Sequence, residues 1–258
     1  MMTFSKFNEI YNLRLSCKCA ACVLDFISNY VKPGITTSEL DDICLEFIMN
    51  KIKANSATVG YCPFYYSPFT GSICTSINQK ICHGIPDNTF LKVGDSLNID
   101  VTIVLNNWYG DTSRMFHVGK QNICSLQLSK VSFECLWLGI NEIKCGANIE
   151  NIGYVIQKHA ENNNFSVVRE FCGHGIGKKF HKYPQVLHYF NDKEFNEVKL
   201  SSGMILTVEP IINLGNRSIK QLSDGWSVET KDSSLSAQWE HTVIVTNNGC
   251  EVLTNSYF

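Results

Sequence analysis

The stretch NIDVTIVLNNWYGDTS, residues 98–113, predicts two strands joined by a tight turn, and each strand carries one aspartate. Asn106-Asn107 suits the centre of a two-residue hairpin turn, because asparagine tolerates left-handed backbone conformations. Asp111 then lies opposite Thr102, and residues two apart on a strand share a face. Asp100 and Asp111 are therefore diagonal neighbours on one face, roughly 7–8 Å apart at the backbone. Two carboxylates this close repel each other unless a proton or a cation lies between them.

Two more acids occupy similar positions beside apolar strands. Glu209 ends the strand that begins at Gly203, and Glu240 precedes the apolar run His-Thr-Val-Ile-Val. A glutamate at a strand end is more often exposed to solvent than functional, so neither acid is informative alone. His174 lies in the glycine-rich phrase FCGHGIG, where a lone histidine is usually just a turn residue.

Taken together, four carboxylates and one imidazole carry enough negative charge to neutralise two divalent cations. This oxygen-rich set suits Mn, Fe(II) or Co and could accept Zn, but it differs from a closed structural Zn site. Calcium prefers six to eight oxygen ligands, and His174 therefore argues against a calcium-binding module.

The sequence outward from this hairpin predicts two similar halves. Helices are expected over residues 7–31 and 36–48, strands over 73–85 and 97–112, and further helices over 125–143 and 148–159. Aligning Gly34 on Gly146 places Leu40 on Ile152 and Ile43 on Val155. The pattern suggests a duplication of about 110 residues. Two amphipathic helix pairs can also resemble each other by chance, which leaves both explanations open.

We expect an α+β fold in a single domain, residues 1–258, with the helices packed on a shared, largely antiparallel sheet. The segment Thr36-Thr37-Ser38-Glu39 has the form of a capping box, which marks the start of the second helix. Leu40, Ile43, Phe47 and Ile48 give that helix its apolar stripe.

The bulk composition argues against nucleic acid or a membrane as the main partner. The chain has 258 residues, 44% of them hydrophobic, a net charge of -2 and no long block of one charge sign. Its longest apolar runs fall short of the ~18 residues that a spanning helix needs, and no signal peptide is evident. We therefore expect a cytoplasmic protein.

Twelve cysteines, scattered from Cys17 to Cys250, are expected to be reduced thiols. The cluster Cys17, Cys19 and Cys22 could bind a metal ion, but no fourth thiol or histidine lies at the ligand spacing of a zinc finger. Leu15, Cys19, Cys22 and Phe26 recur at helical spacing, which favours small core residues on one helix face.

The acids and the histidine also sit in motifs that resemble those of type I methionine aminopeptidases. The resemblance covers nearly the whole chain and includes CHGIP around His83, GKKFHKYPQVLHY around His181, and Gly225-Trp226 followed by KDSSLSAQ. The signature of five metal ligands is matched by Asp100 in NIDV, Asp111 in GDTS, His174 in GHGIG, Glu209 in TVEP and Glu240 in SAQWEHT. The resemblance implies the pita-bread fold, with two α/β halves related by a pseudo-twofold axis and helices packed on a curved sheet.

The implied function is removal of the initiator methionine from nascent polypeptides when the second residue is small. The resemblance further implies two divalent metal ions (Co, Mn, Fe or Zn), with Asp100 on one metal, His174 and Glu209 on the other, and Asp111 and Glu240 bridging. Glu209 would also transfer a proton.

His83 and His181 would contact the substrate without binding metal. His181 would steady the oxyanion of the tetrahedral intermediate, and His83 would contact the scissile amide nitrogen. Four residues match the family's methionine pocket, although each could simply belong to the core: Phe69, Cys74, Phe180 and Trp226. Asn78 and Ser236 match positions that hold a monovalent cation. By the same resemblance the protein is expected to be a monomer that meets its substrates near the ribosome.

Several departures and alternatives remain. Phe69-Thr70-Gly71-Ser72 stands where many relatives have a Pro-Lys pair before the serine, and the segment 61–68 is longer than in the shortest bacterial forms. The nearest alternative is another pita-bread metallopeptidase of the Xaa-Pro aminopeptidase or prolidase type, but those usually carry a large extra amino-terminal domain. A non-catalytic binding homologue is the other alternative, and such proteins normally lack metal ligands.

Overall fold

The computed structural model describes residues 4–63, 67–191 and 198–255. The α-helices are Phe4–Ile27, Thr37–Glu46, Ile123–Asn141 and Glu150–Asn162, numbered α1 to α4, and a π-helical segment Phe47–Ile52 extends α2. The strands, β1 to β15, are Asn55–Ser56, Cys74–Ile77, Lys80–Cys82, Ser96–Leu105, Trp108–His117, Ser166–Val167, Gly173–Gly175, Lys182–Val186, Ile205–Val208, Ile211–Asn213, Ile219–Gln221, Val228–Thr230, Ser236–Gln238, His241–Val245 and Cys250–Val252.

The strands form four sheets, and the strand pairs within the described ranges are antiparallel, as expected. The first half contributes a sheet in which β4 pairs with β1, β2 and β5. The second half contributes a five-stranded sheet in the order β15-β14-β9-β7-β8. Two three-stranded sheets, β13-β10-β6 and β11-β12-β3, complete the fold, and the second of them joins β3 of the first half to strands of the second half.

Each half has its own hydrophobic core. The core of the first half lies between α1, α2 and β4 and includes Leu24, Leu40 and Ile99. The core of the second half lies between α3, α4 and the five-stranded sheet and includes Leu136 and Leu206. A smaller cluster links the halves, because Leu13 and Cys17 of α1 pack with Trp108, Ile244 and Leu253.

The two local signals in the sequence are confirmed. Thr36 caps α2: its hydroxyl accepts from the Glu39 N–H at 3.1 Å, and the Glu39 carboxylate accepts from the Thr36 N–H at 2.8 Å. Asn106 and Asn107 both have positive φ, 52° and 63°, as the hairpin turn between β4 and β5 requires.

The halves repeat the same backbone contacts, which supports the duplication over chance resemblance. Gly34 and Gly146 have φ of 89° and 85°. Each donates its N–H at 2.8 Å to a leucine carbonyl, Leu91 in one half and Leu200 in the other. The aligned helix positions also agree in burial, since Leu40 and Ile152 are both fully buried.

A second pair of glycines extends this correspondence to the acids. Gly94 and Gly203 have φ of 99° and 92°, and both donate their N–H at 2.8 Å to a valine carbonyl, Val118 directly after β5 and Val245 at the end of β14. Six residues further on stand Asp100 and Glu209. The two acids therefore occupy equivalent places in the two halves.

The prediction of which face of α1 is buried was wrong. Leu15, Cys19, Cys22 and Phe26 are only half-buried. The buried face is instead formed by Leu13, Cys17, Ala20, Ala21, Val23, Leu24 and Ile27. A β-carbon on Gly110 of β5 would lie 2.5 Å from the Ser16 carbonyl carbon, so the backbone of α1 contacts β5 directly here and this contact sets the helix rotation.

Helix α3 is the one described helix long and apolar enough to cross a membrane by length and composition. Half of it is buried, and it packs against α4 and strands β10 and β13. Buried core helices have the same composition, so this property is weak support for a span.

Candidate metal centre and cavity

The β4–β5 hairpin places the first two acids as predicted. Thr102 pairs with Asp111 and Asp100 pairs with Ser113 across the two strands. The Thr102 hydroxyl donates to Asp111 Oδ1 at 2.7 Å, which holds that carboxylate on the shared face.

The second pair of acids comes from the five-stranded sheet. His241 of β14 pairs with Val208 of β9, so Glu240 and Glu209 lie at the same end of these neighbouring strands. Glu240 is 2% exposed, and its backbone N–H donates to the Ser113 carbonyl of β5 at 3.2 Å. This bond attaches the second half to the strand that carries Asp111.

The acids converge. Carboxylate oxygens of Asp100, Asp111 and Glu240 lie within 4.8 Å of one another. Asp100 Oδ1 is buried and has no hydrogen-bond partner among the described residues. Burial raises the pKa of Asp111 to about 7, against hydrogen bonds from Thr102 and Thr112 that lower it. Burial, and after it the charge of Asp111, raises the pKa of Asp100, Glu209 and Glu240 well above the usual range.

His174 joins this cluster from β7. Its Nε2 lies 3.7 Å from Asp111 Oδ2 and 3.7 Å from Glu209 Oε1. Its Nδ1 lies 3.0 Å from the Gly175 carbonyl, to which only a protonated Nδ1 can donate. Burial first, and His181 second, lowers the pKa of His174 to about 3. The imidazole is therefore neutral at pH 7 and turns the lone pair of Nε2 toward the acids.

These side chains fit divalent cations. The buried carboxylates are costly as bare anions, the orphaned oxygen of Asp100 lacks a partner, and a neutral imidazole nitrogen faces the same space. Cations between them would offset the burial that raises the pKa of the four acids and the repulsion by Asp111 that adds to it for Asp100, Glu209 and Glu240. The five residues that the sequence singled out are thus brought together at one place.

Three residues that the sequence analysis did not single out support Glu209. The Thr207 hydroxyl donates to Glu209 Oε1 at 2.8 Å, and Gln238 Nε2 donates to Oε2 at 3.4 Å. His188 Nε2 accepts from the Glu209 backbone N–H at 3.1 Å. Gln238 and His188 stand inside quoted motifs, SAQWEHT and GKKFHKYPQVLHY, but nothing local marks their contact with Glu209.

A cavity of about 870 Å³ opens onto the acids. All four predicted pocket residues line it, and three of them are also in contact with one another in a small cluster: Phe69, Cys74 and Trp226. The Phe69 and Trp226 rings meet edge to face at 5.2 Å. Cys74 of β2 pairs directly with Asp100 of β4, so this wall of the cavity adjoins the acids.

His83 and His181 also line the cavity. His83 has a φ of 54°, and its ring meets the edge of Phe171 at 5.3 Å. Burial lowers the pKa of both histidines to about 4, which keeps them neutral at pH 7. The Tyr61 hydroxyl lies 2.9 Å from His181 Nδ1, a contact between residues 120 positions apart that the sequence analysis did not anticipate.

Asn78 and Ser236 lie together outside this lining. The Ser236 N–H donates to the Asn78 carbonyl at 2.9 Å. The Asn78 side chain is already bonded, since Nδ2 donates to Asp95 at 2.8 Å and Oδ1 accepts from the Ser96 N–H at 3.0 Å. The second lone pair of Asn78 Oδ1 is the part of this side chain that remains for a cation.

Of the cysteine cluster in α1, Cys17 belongs to the buried core, whereas Cys19 and Cys22 are half-buried. Cys17 is fully buried, and burial raises the pKa of its thiol far above the usual range. Within the described ranges, the one group of acids, histidines or thiols close enough to share an ion is Asp100, Asp111 and Glu240.

Comparisons with known proteins agree with this geometry. Residues 11–247 match the model of metallopeptidase family M24. A methionine aminopeptidase of Buchnera aphidicola subsp. Schizaphis graminum is 52% identical over 248 residues, which cover 96% of this chain and 92% of that protein. The crystal structure of a methionine aminopeptidase from Rickettsia prowazekii is 44% identical with a TM-score of 0.91, covering 99% of this chain and 100% of that one.

A prolidase from Pyrococcus furiosus has a TM-score of 0.75 at 18% identity. The match covers 97% of this chain but only 65% of the prolidase. At this identity the likeness shows a shared fold alone.

Proposed function

This chain belongs to metallopeptidase family M24, and from that membership we propose that it removes the amino-terminal methionine from new polypeptides whose second residue is small. It is a metal-dependent hydrolase. The observation that carries the proposal is the convergence of Asp100, Asp111, Glu240, Glu209 and His174 at the end of a cavity lined by aromatic rings and sulfur.

Two divalent ions, of Mn, Fe, Co or Zn, would be held by this set. Asp100 would hold one ion, His174 and Glu209 would hold the other, and Asp111 and Glu240 would be shared by both. Two sets of distances support this assignment. Carboxylate oxygens of Asp111, Asp100 and Glu240 lie within 4.8 Å of one another, and Asp111 Oδ2 also lies 3.7 Å from His174 Nε2. The ions would supply Lewis-acid activation of the attacking water and of the scissile carbonyl.

The side chains around the ions would handle protons and orientation. Glu209 would accept the proton of the attacking water and pass it to the departing amine, a role open to a carboxylate that lies beside the reacting groups in the cavity. His83 contacts the scissile amide nitrogen. His181 donates a hydrogen bond to the oxyanion of the tetrahedral intermediate. Both imidazoles are neutral at pH 7, so each has one N–H to donate.

The cavity wall would select methionine. A thioether packs well against aromatic rings and sulfur, which Phe69, Phe180, Trp226 and Cys74 offer. A pocket of this kind discriminates by only about 1–3 kcal/mol per methylene, so slow cleavage after other linear apolar residues is expected.

The remaining features of the proposal concern the setting of the enzyme. Its substrates are the amino termini of nascent chains, and we place the enzyme in the cytoplasm near the ribosome, as a monomer with one catalytic domain. The packing of α1 against strands of both halves supports one domain. A monovalent cation beside Asn78 and Ser236 is part of the same proposal.

Peptide hydrolysis tests the function. Metal-stripped protein is given Mn²⁺, Co²⁺ or Fe²⁺ and assayed with Met-Ala-Ser, Met-Lys-Ser and proline-containing peptides, with Asp111→Asn as the inactive control. Metal-dependent release of methionine from Met-Ala-Ser alone is expected. Preferred cleavage of the proline-containing peptides would indicate a prolidase-type enzyme, and no turnover with any metal by folded protein would indicate a binding homologue.

A further inference from the structure

We infer that the Tyr61 hydroxyl fixes the tautomer of His181, so that His181 keeps its proton on Nε2 and can donate it as a hydrogen bond to the reacting peptide. Tyr61 is then a positioning residue, which acts on the reaction through His181. The catalytic consequence rests on the proposed function, whereas the tautomer is a property of the protein itself.

The contact has a fixed geometry. Tyr61 Oη lies 2.9 Å from His181 Nδ1, with the ring centroids 5.7 Å apart. The backbone of Tyr61 is held on both sides, because its N–H donates to Thr58 and its carbonyl accepts from the Phe69 N–H, each at 2.9 Å. The hydroxyl is therefore placed by the base of the loop, next to the cavity wall that contains Phe69.

The direction of this hydrogen bond follows from what the Tyr61 hydroxyl can reach. Among the described residues, His181 Nδ1 is its one hydrogen-bond partner, so an O–H that did not donate to Nδ1 would have no protein acceptor. A neutral imidazole has one N–H and one lone pair, and a phenol keeps one O–H to donate. The O–H donates to the lone pair on Nδ1, which leaves the imidazole proton on Nε2.

The opposite arrangement would work against the reaction. If Nδ1 carried the proton and donated to the phenol, Nε2 would present a lone pair to the cavity. A lone pair repels the negative charge that develops on the carbonyl oxygen during attack, whereas an N–H stabilises it. The Tyr61 hydroxyl thus decides whether His181 helps or opposes the transition state.

Tyr61→Phe isolates the hydroxyl. The ring would keep its contacts with Phe180, at 5.0 Å, and Trp226, at 6.4 Å, so the cavity wall is preserved. Tyr109→Phe is the matched control, because Tyr109 also stacks on Phe180, at 5.5 Å, and also loses a hydroxyl.

The first measurement is the tautomer. The full chain is labelled with ¹⁵N-histidine and loaded with diamagnetic Zn²⁺, and the His181 nitrogens are assigned by their disappearance in His181→Ala. We expect the Nε2–H form in the wild type and in Tyr109→Phe, and a substantial fraction of the Nδ1–H form in Tyr61→Phe. A predominant Nδ1–H form in the wild type, or no change in Tyr61→Phe, would overturn the inference.

The second measurement is a double-mutant cycle with Met-Ala-Ser. Removing one oxyanion donor costs roughly 10²–10³ in kcat, so partial loss in Tyr61→Phe should lower kcat about tenfold and leave KM within about twofold. In the His181→Ala background the same substitution should have no further effect. An equal loss of kcat in both backgrounds would overturn the inference and assign Tyr61 to the cavity wall. If no protein cleaves the peptide, the proposed function fails, and the NMR comparison still decides the tautomer.

Discussion

At the scale of single residues, Glu240 shows how the candidate metal site lowers the stability of the metal-free fold. Its side chain is almost completely buried. Burial, followed by the charges of Asp111, Glu209 and Asp100, raises its pKa well above 4.5. In metal-free protein the folded state therefore binds a proton on Glu240 at pH values where the unfolded chain does not. This group lowers stability as pH rises from about 4.5 toward its folded pKa.

Glu240→Gln should therefore stabilise the metal-free protein, and more so at higher pH. The gain over wild type is expected to be small at pH 4.5 and to grow by at most about 1.4 kcal/mol per pH unit above that value. Urea unfolding of metal-stripped protein between pH 4.5 and 7.5 measures it. Using the difference between two proteins removes the opposing contribution of buried histidines, whose lowered pKa makes the fold less stable in acid.

Glu46→Gln is the control for this series, because Glu46 is exposed and belongs to α2. A gain in Glu240→Gln that does not depend on pH would contradict the crowding of carboxylates. With saturating Mn²⁺ the order should reverse, since the wild type binds the ion more tightly and is stabilised by mass action.

His83→Ala should reduce kcat by roughly 10²–10³ while the content of bound metal stays unchanged, because His83 lines the cavity without joining the metal-binding cluster. Peptide hydrolysis and elemental analysis of the purified variant measure the two quantities. Loss of metal in His83→Ala would make this histidine a ligand and remove its role at the scissile amide.

The sequence indicated the candidate metal ligands better than the residues that form hydrogen bonds to the site. Asp100 and Asp111 could be placed on one face because the hairpin pattern fixes a register. Tyr61, His188 and Gln238 could not be assigned, because each acts through a hydrogen bond to a residue far along the chain. Such contacts leave no periodic pattern in the sequence.

At the scale of elements, α2 anchors the turn that leads into the cavity wall. Asp41 Oδ1 accepts from the Ser72 N–H at 2.7 Å, from the Ser72 hydroxyl at 2.7 Å and from the Ile73 N–H at 3.0 Å. Ser72 and Ile73 are fully buried and directly precede Cys74 of β2. One carboxylate thus fixes the start of the strand that borders both the cavity and Asp100.

Asp41→Ala should destabilise the fold by about 2–4 kcal/mol, because it leaves buried donors unsatisfied at roughly 1–3 kcal/mol each. It should also raise KM for Met-Ala-Ser, since the cavity wall loses its anchor. Asp42→Ala is the matched control: Asp42 is the exposed neighbour on the same helix and should change stability by less than about 0.5 kcal/mol. Similar effects of the two substitutions would contradict the anchoring role.

Hydrophobic periodicity alone does not determine which face of helix α1 is buried. Apolar or small residues occupy most of its positions between Leu13 and Leu24, so several stripes fit the sequence equally well. The contact between its backbone and Gly110 selects one of them. That contact joins residues about ninety positions apart and has no signature in the helix itself. The capping box of α2, in contrast, is local and was predicted correctly.

At the scale of the whole molecule, the pita-bread fold expected from the resemblance is confirmed by its structural neighbours. The halves exchange hydrogen bonds next to the ligands. The Thr112 hydroxyl donates to the Glu240 carbonyl and the Thr242 hydroxyl donates to the Asp111 carbonyl, both at 2.7 Å. Each half therefore holds the backbone of a ligand that belongs to the other half.

Thr112→Val and Thr242→Val should each weaken metal binding by about 10–100-fold, the usual effect of losing a group that orients a ligand, without removing any ligand. Calorimetric titration with Mn²⁺ measures the affinity. Thr75→Val is the control, because Thr75 is equally buried but its hydroxyl has no hydrogen-bond partner among the described residues. Unchanged affinity in both test variants would show that the two halves hold their ligands independently.

The tight turn at Asn106-Asn107 also limits how this chain can change its length during evolution. One residue inserted into either strand, with the two-residue turn kept, would turn Asp111 to the opposite face of the sheet, away from Asp100. Two would restore the face but shift Asp111 along the strand by about 6.8 Å, at roughly 3.4 Å per residue. With the two-residue turn kept, neither insertion preserves the diagonal arrangement of the two acids, whereas extra residues in the turn itself would only lengthen the loop. Length variation among descendants of this gene is therefore expected in segments that carry no ligand, such as residues 62–68, and not in the two strands of the hairpin.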